Sequence, residues 1–406
     1  MALGFLLFFA TLYTVIVKKN PNLVIFFSLL FPFFSLPIAV SNRNQDFGSL
    51  FLLVQFLGFI GVIALLLTRK PKIEPHQFLL IIFMLLASGY GVLISNSEMS
   101  NVPMRIIGAK FLILPIVFAL AGSVNLELAN YILKFSLVLV ILNAAAALFE
   151  LTIGYNFFIQ YANKYTFQPT QFLQSRFRAP GLTLSNFTLG YFAATTLLIV
   201  IANRLINPKI QKFNLLQKAG IISSLFAIFA SYSRGALVML AAGVTMLFIA
   251  YFRYLPMYLF ALAIIGLTIV SVGFRTNYFD GSSGRDRFAI WTFVKANSNF
   301  GYGWGLGTSG ATTNSSFALF GHKVIVDNYF LSIFWQIGFI GLILYTCVLV
   351  VLSLQMDKIG RSLILALAIA NMFIEFWEYT EVVSILMIYS LAKHPKVKAP
   401  LRPKLN

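Results

Sequence analysis

Three stretches of this chain carry polar groups of a kind that can do chemistry. The segment SYSRGA (231–236) sets Arg234 between two apolar runs, 220–230 and 236–252, with serines and a glycine beside it. The segment RFRAPGLTLSNFTLGYF (176–192) places Arg178 before a Pro-Gly turn, with Ser185 and Asn186 inside the start of the next apolar run. The region 274–325 is the longest polar stretch; it holds Arg285, Arg287 and His322 and leads into DNYFLSIFWQIGFIGL (327–342), which opens on Asp327 and Asn328. A guanidinium is planar and offers five donors, so arginines gathered in a few loops suit bidentate binding of phosphate or carboxylate better than lysines would. Snorkelling to lipid headgroups is the competing explanation for any one of them. Three further carboxylates, Glu375, Glu378 and Glu381, stand close together in EFWEYTE (375–381), where Glu375 and Glu378 share a helix face.

The elements that must position these groups are membrane helices. Hydrophobic residues make up 59% of the 406, and charged residues only 10%, where a soluble domain carries about 25% charge. No polar block is large enough to bury a core of its own, so 1–406 reads as a single integral membrane domain of the all-α polytopic class. A span needs about 20 apolar residues. That ruler marks spans near 1–17, 23–41, 48–68, 78–95, 106–122, 128–151, 181–203, 219–232, 235–252, 255–273 and 326–354. The final apolar block, 362–392, is interrupted by the three carboxylates and reads as a hairpin of two short helices, which gives about 12–13 transmembrane segments. The first segment lacks a basic leader and a small-residue cleavage site and reads as a retained span. The single cysteine, Cys347, lies in an apolar run and reads as packing.

Lysines and arginines near span ends accumulate on the cytoplasmic side. Alternation puts Lys18, Lys19, the RKPK at 69–72, the loop 204–218, Arg253, Lys358, Arg361 and the basic tail 393–406 on that side. The opposite face is rich in arginine: Arg43, Arg105, Arg176, Arg178, Arg234, Arg275, Arg285 and Arg287. Lys110 and Lys134 fall inside spans; Lys134 and Glu150 read as structural features of one of them. The region 274–325 becomes one long extracytoplasmic loop. Within it Ser283 and Asp286 are spaced as a capping pair, and Arg287, Ile290, Trp291 and Val294 fall on one helical face, so a short amphipathic helix is expected there. The membrane accounts for the basic tail, and no nucleic acid is expected as a partner.

RAPGLTLSNFTLGYF, SYSRGA, the run from Arg285 to GYGWGLG (301–307) and DNYFLSIFWQIGFIGL together resemble the O-antigen ligase and O-antigen polymerase superfamily of bacterial inner-membrane glycosyltransferases. The resemblance covers roughly the second half of the chain. It implies about a dozen helices, a large periplasmic loop late in the chain, and an outward-facing cavity in the bacterial cytoplasmic membrane. It also implies transfer of a glycan from a polyprenyl-pyrophosphate donor to a sugar hydroxyl, with no cofactor and no metal. The expected partners are the polyprenyl-pyrophosphate-linked oligosaccharide, membrane lipid and, from the family, a chain-length regulator protein.

Such a transfer needs cations where charge develops on the departing pyrophosphate, and Arg178, Arg234, Arg285 and Arg287 can supply them. It needs a base for the acceptor hydroxyl. Asp327 is the first candidate and His322 the second; for Asp327 the alternative role is stabilising a helix N-terminus. Asn328, Trp291, Trp304, Glu375, Glu378 and Glu381 are candidates for contact with the sugar, the tryptophans by stacking. The ligases of this superfamily carry a histidine before the Asn of the segment, where this chain has Asp327. That favours a polymerase of O-antigen, capsule or exopolysaccharide over a ligase. A lipid-linked oligosaccharide flippase, the other alternative, would be expected to show matched broken helices in two halves, and the sequence has no such pairing.

Overall fold

The structure is a computed structural model. It describes residues 13–14, 21–34, 47–69, 75–95, 102–124, 126–154, 172–173, 176–183, 185–206, 213–251, 282–299, 301–309, 326, 328–373 and 380–393. The chain is an all-α membrane protein. Among the described residues four helices are long and apolar enough to cross a bilayer, over Arg105–Gly122, Glu127–Ile153, Asn186–Leu205 and Tyr329–Leu354, and shorter apolar helices pack among them.

In chain order the described helices are α1 (Pro21–Leu30, continued by a 3-10 turn Phe31–Phe34), α2 (Phe47–Arg69), α3 (Pro75–Leu93), α4 (Val102–Val124) and α5 (Leu126–Ile153). After a two-residue antiparallel pair, β1 (Phe172–Leu173) with β2 (Arg176–Phe177), come α6 (Asn186–Ile206), α7 (Leu215–Ser231) and α8 (Arg234–Tyr251). The last four are α9 (Ser282–Asn297), α10 (Tyr329–Leu354), α11 (Lys358–Phe373) and α12 (Thr380–Lys393).

The interrupted block 362–392 forms two helices, α11 and α12, that pack on each other on either side of the carboxylate-rich segment. α12 is the hub of the bundle: it packs on α1, α4, α5, α6 and α11, and every residue from Glu381 to Ala392 is buried. Its 14 residues rise about 21 Å, short of a bilayer's hydrocarbon core of about 30 Å. Its neighbours, not lipid, surround it, so it has no hydrophobic length to match.

The expected span at 181–203 begins later, at Asn186, because Gly181 turns the chain in the left-handed region (φ 62°) and Ser185 caps the helix. The Ser185 hydroxyl accepts from the Phe187 amide at 3.2 Å. The expected amphipathic helix is present as α9, but it starts at Ser282, which puts Ser283 inside the first turn and not at the capping position. Its apolar side does not face lipid. Val294 is buried with Val326 and Trp335, and Ile290, Trp291 and Phe293 pack around them, so α9 is fastened to the first half of α10. The spans read at 1–17 and 255–273 lie outside the described residues, save Tyr13 and Thr14.

Candidate functional site

The two motifs RAPGLTLSNFTLGYF and SYSRGA form one joint. α7 ends on Tyr232, which takes the left-handed conformation (φ 48°) and turns the chain so that α8 begins two residues later, at Arg234. The Ala179 amide donates to the Ala230 carbonyl at 3.1 Å, and the Asn186 side chain donates to the Ser231 carbonyl at 3.0 Å. The loop bearing Arg178 and the first turn of α6 are thereby tied to the end of α7, one turn from Arg234. The Arg178 guanidinium lies 5.7 Å from the centre of the Phe187 ring, on that same first turn.

From the other side the joint is held by α5. The Gly181 amide donates to a carboxylate oxygen of Glu150 at 2.9 Å, and the Leu182 amide donates to the Asn143 side chain at 2.9 Å. Asn143 in turn donates to the Phe33 carbonyl at 2.9 Å. Glu150 and Asn143 are buried. Glu150 thus has the structural role expected of it, as the anchor of the loop that presents Arg178.

The joint sets the N-termini of α6 and α8 on one rim, each with an arginine at it. A cation in the first turn of a helix is opposed by the helix macrodipole, at about 0.3–1 kcal/mol. Helix formation therefore gives no reason for Arg234 to stand at the head of α8. An anion at that rim would be favoured by the guanidinium and by the positive end of the helix alike.

The third motif is built into the bundle more deeply than a surface loop. Gly338 interrupts α10 with φ 64° and ψ −161°. The carbonyls released there accept from the glycine loop: Trp304 N to Trp335 O at 2.9 Å and Gly305 N to Gln336 O at 2.7 Å. The Gln336 side chain accepts from Gly307 N at 2.9 Å and donates to the Ser332 hydroxyl at 3.1 Å, which donates to Ser309 at 3.2 Å. On the far side Leu306 N donates to the Gly91 carbonyl of α3 at 3.0 Å. Gly303, Gly305 and Gly307 all have positive φ, so the four consecutive amides 304–307 can turn toward partners on different sides. A methyl group on Gly303 would lie 2.6 Å from the Gln336 carbonyl oxygen, and one on Gly338 would lie 2.6 Å from the Gly301 oxygen. Irregular backbone at membrane depth is tolerated only where it is buried in protein or lines water, and here protein buries it.

The remaining expected site residues fall as follows. Asn328 is the N-cap of α10, its side chain accepting from the Leu331 amide at 3.2 Å. It fills the capping position of α10 directly after Asp327 in the chain. Trp304 donates to the Asn297 carbonyl at 3.0 Å and packs on Trp335 with ring centres 6.0 Å apart; Trp291 is half-buried in the same cluster. Tyr302, 63% exposed, is the aromatic of the glycine loop most open to its surroundings. Arg285 and Arg287 are the fourth and sixth residues of α9, about 200° apart around the helix, and the contacts that place α9 are with α10. Glu381 is buried at the head of α12, where it accepts from the Gln55 side chain of α2 and lies within electrostatic reach of Lys110 of α4. Asp327, His322, Glu375 and Glu378 lie outside the described residues. Among the described residues no group of three or more His, Cys, Asp and Glu could hold a metal ion.

The structure thus ties the loop bearing Arg178 and the first turn of α6 to the end of α7, one turn before Arg234, and fixes Trp304, Trp291 and Asn328 against α10. Sequence reasoning missed Asn143, Gln336 and Gly338. Only Gly338 gave a signal, as a glycine inside a helical pattern.

Fold and joint together define a polytopic α-helical membrane protein with a cationic rim at the heads of two helices. Comparison with family models, with curated proteins and with solved structures finds no match for this chain.

Proposed function

We propose that the protein is a polysaccharide polymerase of the bacterial cytoplasmic membrane. It transfers a glycan from a polyprenyl-pyrophosphate donor to a sugar hydroxyl of a lipid-linked repeat unit at the outer face. In this reading the protein has about 12–13 spans, and the region 274–325 is an extracytoplasmic loop whose glycine segment (301–307) turns back into the bundle to meet α3 and α10. The observation that supports it best is the joint that fastens the Arg178 loop and the N-terminus of α6 to the end of α7, beside the N-terminus of α8 that carries Arg234; two cations at two helix heads suit a pyrophosphate.

In the reaction the acceptor hydroxyl gives its proton to the Asp327 carboxylate as its oxygen bonds to the anomeric carbon. The bond from that carbon to the pyrophosphate oxygen breaks, and polyprenyl pyrophosphate departs with the electron pair. The guanidinium groups meet the charge that grows on the departing oxygens, where a fixed donor is worth most. Glu150 and Asn143 act indirectly, by holding the loop that carries Arg178.

The test is lengthening of a lipid-linked repeat unit by the purified protein. Arg234→Ala should reduce the rate roughly 30- to 1000-fold, the loss of about 2–4 kcal/mol at the transition state. Arg234→Lys should recover only part of it, because the charge returns without the fork. A wild-type protein that lengthens nothing, or an Arg234→Ala variant at full rate, would refute the proposal.

A further inference from the structure

The turn between α7 and α8 carries a residue that its backbone does not suit. Among the described residues Tyr232 is the one residue other than glycine with a positive φ. It stands at φ 48° and ψ 32°, in the left-handed region, at the C-terminal end of α7. Helices very commonly end on a residue in this conformation, and that residue is usually glycine and sometimes asparagine. In an L-residue the conformation presses Cβ toward the following carbonyl oxygen, and for a bulky side chain it is an outlier. Glycine would turn the chain here without that cost. A tyrosine in this place is therefore kept for its side chain.

The close packing of the turn is made by its neighbours. Ser231 and Ser233 are fully buried against Gly190 of α6, where an added Cβ would lie 2.7 Å from the Ser231 hydroxyl oxygen and 2.5 Å from Ser233 Cβ. The Ala230 and Ser231 carbonyls tie the turn to the Arg178 loop and to Asn186. Of the side chains of residues 231–233 only that of Tyr232 is part exposed. Tyr232 lies past the last residue of α7 and ahead of Arg234, the first of α8, so it stands at the corner where the two helices end. A polyprenyl pyrophosphate held at Arg234 continues in two directions. Its chain runs along the helices into hydrocarbon, and its sugar, joined directly to the pyrophosphate, lies beyond the helix ends. The corner is on the sugar side. A phenol suits a sugar ring, because its face covers C–H bonds while its hydroxyl both donates and accepts.

We infer that Tyr232 contacts the first sugar of the lipid-linked glycan, the one joined to the pyrophosphate, and so helps set which glycan the joint accepts. The inference rests on the function proposed above and deepens it: the arginines take the phosphates and the tyrosine reads the sugar. The backbone strain at residue 232 is then stability given up for that contact, as at other binding sites where a residue is held in a sparsely populated conformation.

The experiment reads both stability and binding in the purified full chain in phosphatidylcholine nanodiscs. The two ligands are the lipid-linked oligosaccharide extracted from cells that make this protein, and bare polyprenyl pyrophosphate. Tyr232→Gly and Tyr232→Asn both suit the left-handed backbone, so their unfolding midpoints should equal that of the wild type or exceed it by about 1–3 °C. Both variants should weaken binding of the oligosaccharide tenfold or more and change binding of the bare carrier less than threefold. Arg234→Ala should weaken both ligands. Midpoints lowered by more than about 3 °C in both tyrosine variants would overturn the inference, because the side chain would then be kept for packing. Oligosaccharide binding within threefold of wild type would overturn it too, as would an equal loss of the bare carrier, which would put the ring on the lipid. A wild type that binds neither ligand sinks the polymerase reading; a wild type that binds both, with tyrosine variants that do not tell them apart, sinks the inference alone.

Discussion

Replacing Gly338 by alanine tests whether the glycine loop is held in the bundle by the break in α10. The backbone there, at φ 64° and ψ −161°, is in a region that essentially only glycine occupies, and another residue held in it costs about 1–3 kcal/mol. The added methyl would also stand 2.6 Å from the Gly301 oxygen and 2.8 Å from the Gly303 nitrogen, so the loop has to move. Its alternative is to leave. The Trp335 and Gln336 carbonyls would return to α10's own amides, and the loop would lose the bonds from Trp304, Gly305 and Gly307, each worth about 0.5–1.5 kcal/mol net. Either course puts the cost at roughly 2–4 kcal/mol, a rise in the open population of roughly 30- to 1000-fold at about 1.4 kcal/mol per factor of ten. The assay uses Ser309→Cys, a buried and nearly isosteric position, in a Cys347→Ala background that leaves no other thiol. Where the loop recloses faster than it reacts, maleimide labelling follows the open population. Labelling that changes by less than threefold in Gly338→Ala, with an unaltered unfolding midpoint, would refute the argument that the helix break and the loop hold each other.

Three further substitutions separate structure from chemistry. Glu150→Ala should lower stability by about 1–3 kcal/mol, because the Gly181 amide loses its acceptor in a buried place; Glu150→Gln keeps an oxygen there and should stay near wild type in thermal unfolding. Gly235→Ala would set a methyl on the Tyr191 hydroxyl, an overpacking worth about 1–3 kcal/mol, and adding Tyr191→Phe should restore part of the lost unfolding temperature. Asn328→Ala should cost about 0.5–2 kcal/mol of stability as a lost helix cap, whereas Asp327→Asn should leave stability unchanged and lower glycan transfer by roughly 100-fold. The reverse pattern, a stable Asn328→Ala and an unstable, active Asp327→Asn, would remove Asp327 from the chemistry.

Helices that meet lipid were legible from the sequence nearly to the residue. The spans read at 128–151 and 326–354 are α5, Leu126–Ile153, and α10, Tyr329–Leu354, because composition alone separates a lipid-facing helix from its loops. The interruption in the last apolar block was legible for the same reason, three carboxylates in hydrocarbon being costly. The start of α6 was not, since Gly181, Leu182 and Thr183 are as apolar as a span but are bent into a turn by bonds to Glu150 and Asn143. Gly338 was visible only as a glycine inside an apolar helical run, which does not announce a break. Membrane helices carry glycine freely, and whether one breaks depends on a partner, here a loop about 35 residues earlier. The arginines of the rim could be picked out by type, but their meeting depends on Asn186 reaching Ser231, a bond that spacing does not announce.

The central place of α12 has a consequence for how the protein is made. α4 ends at residue 124 and α12 at 393, so at about 5–20 residues per second the ribosome reaches the hub on the order of 10–50 s after α4 is complete. Until then α1, α4, α5 and α6 pack only on their other neighbours, and Gln55 of α2 waits without the Glu381 oxygen it donates to. Closure of the bundle around α12 is therefore late, and a ribosome that stalls before residue 380 leaves α1, α4, α5 and α6 packed on their other neighbours without the helix they share.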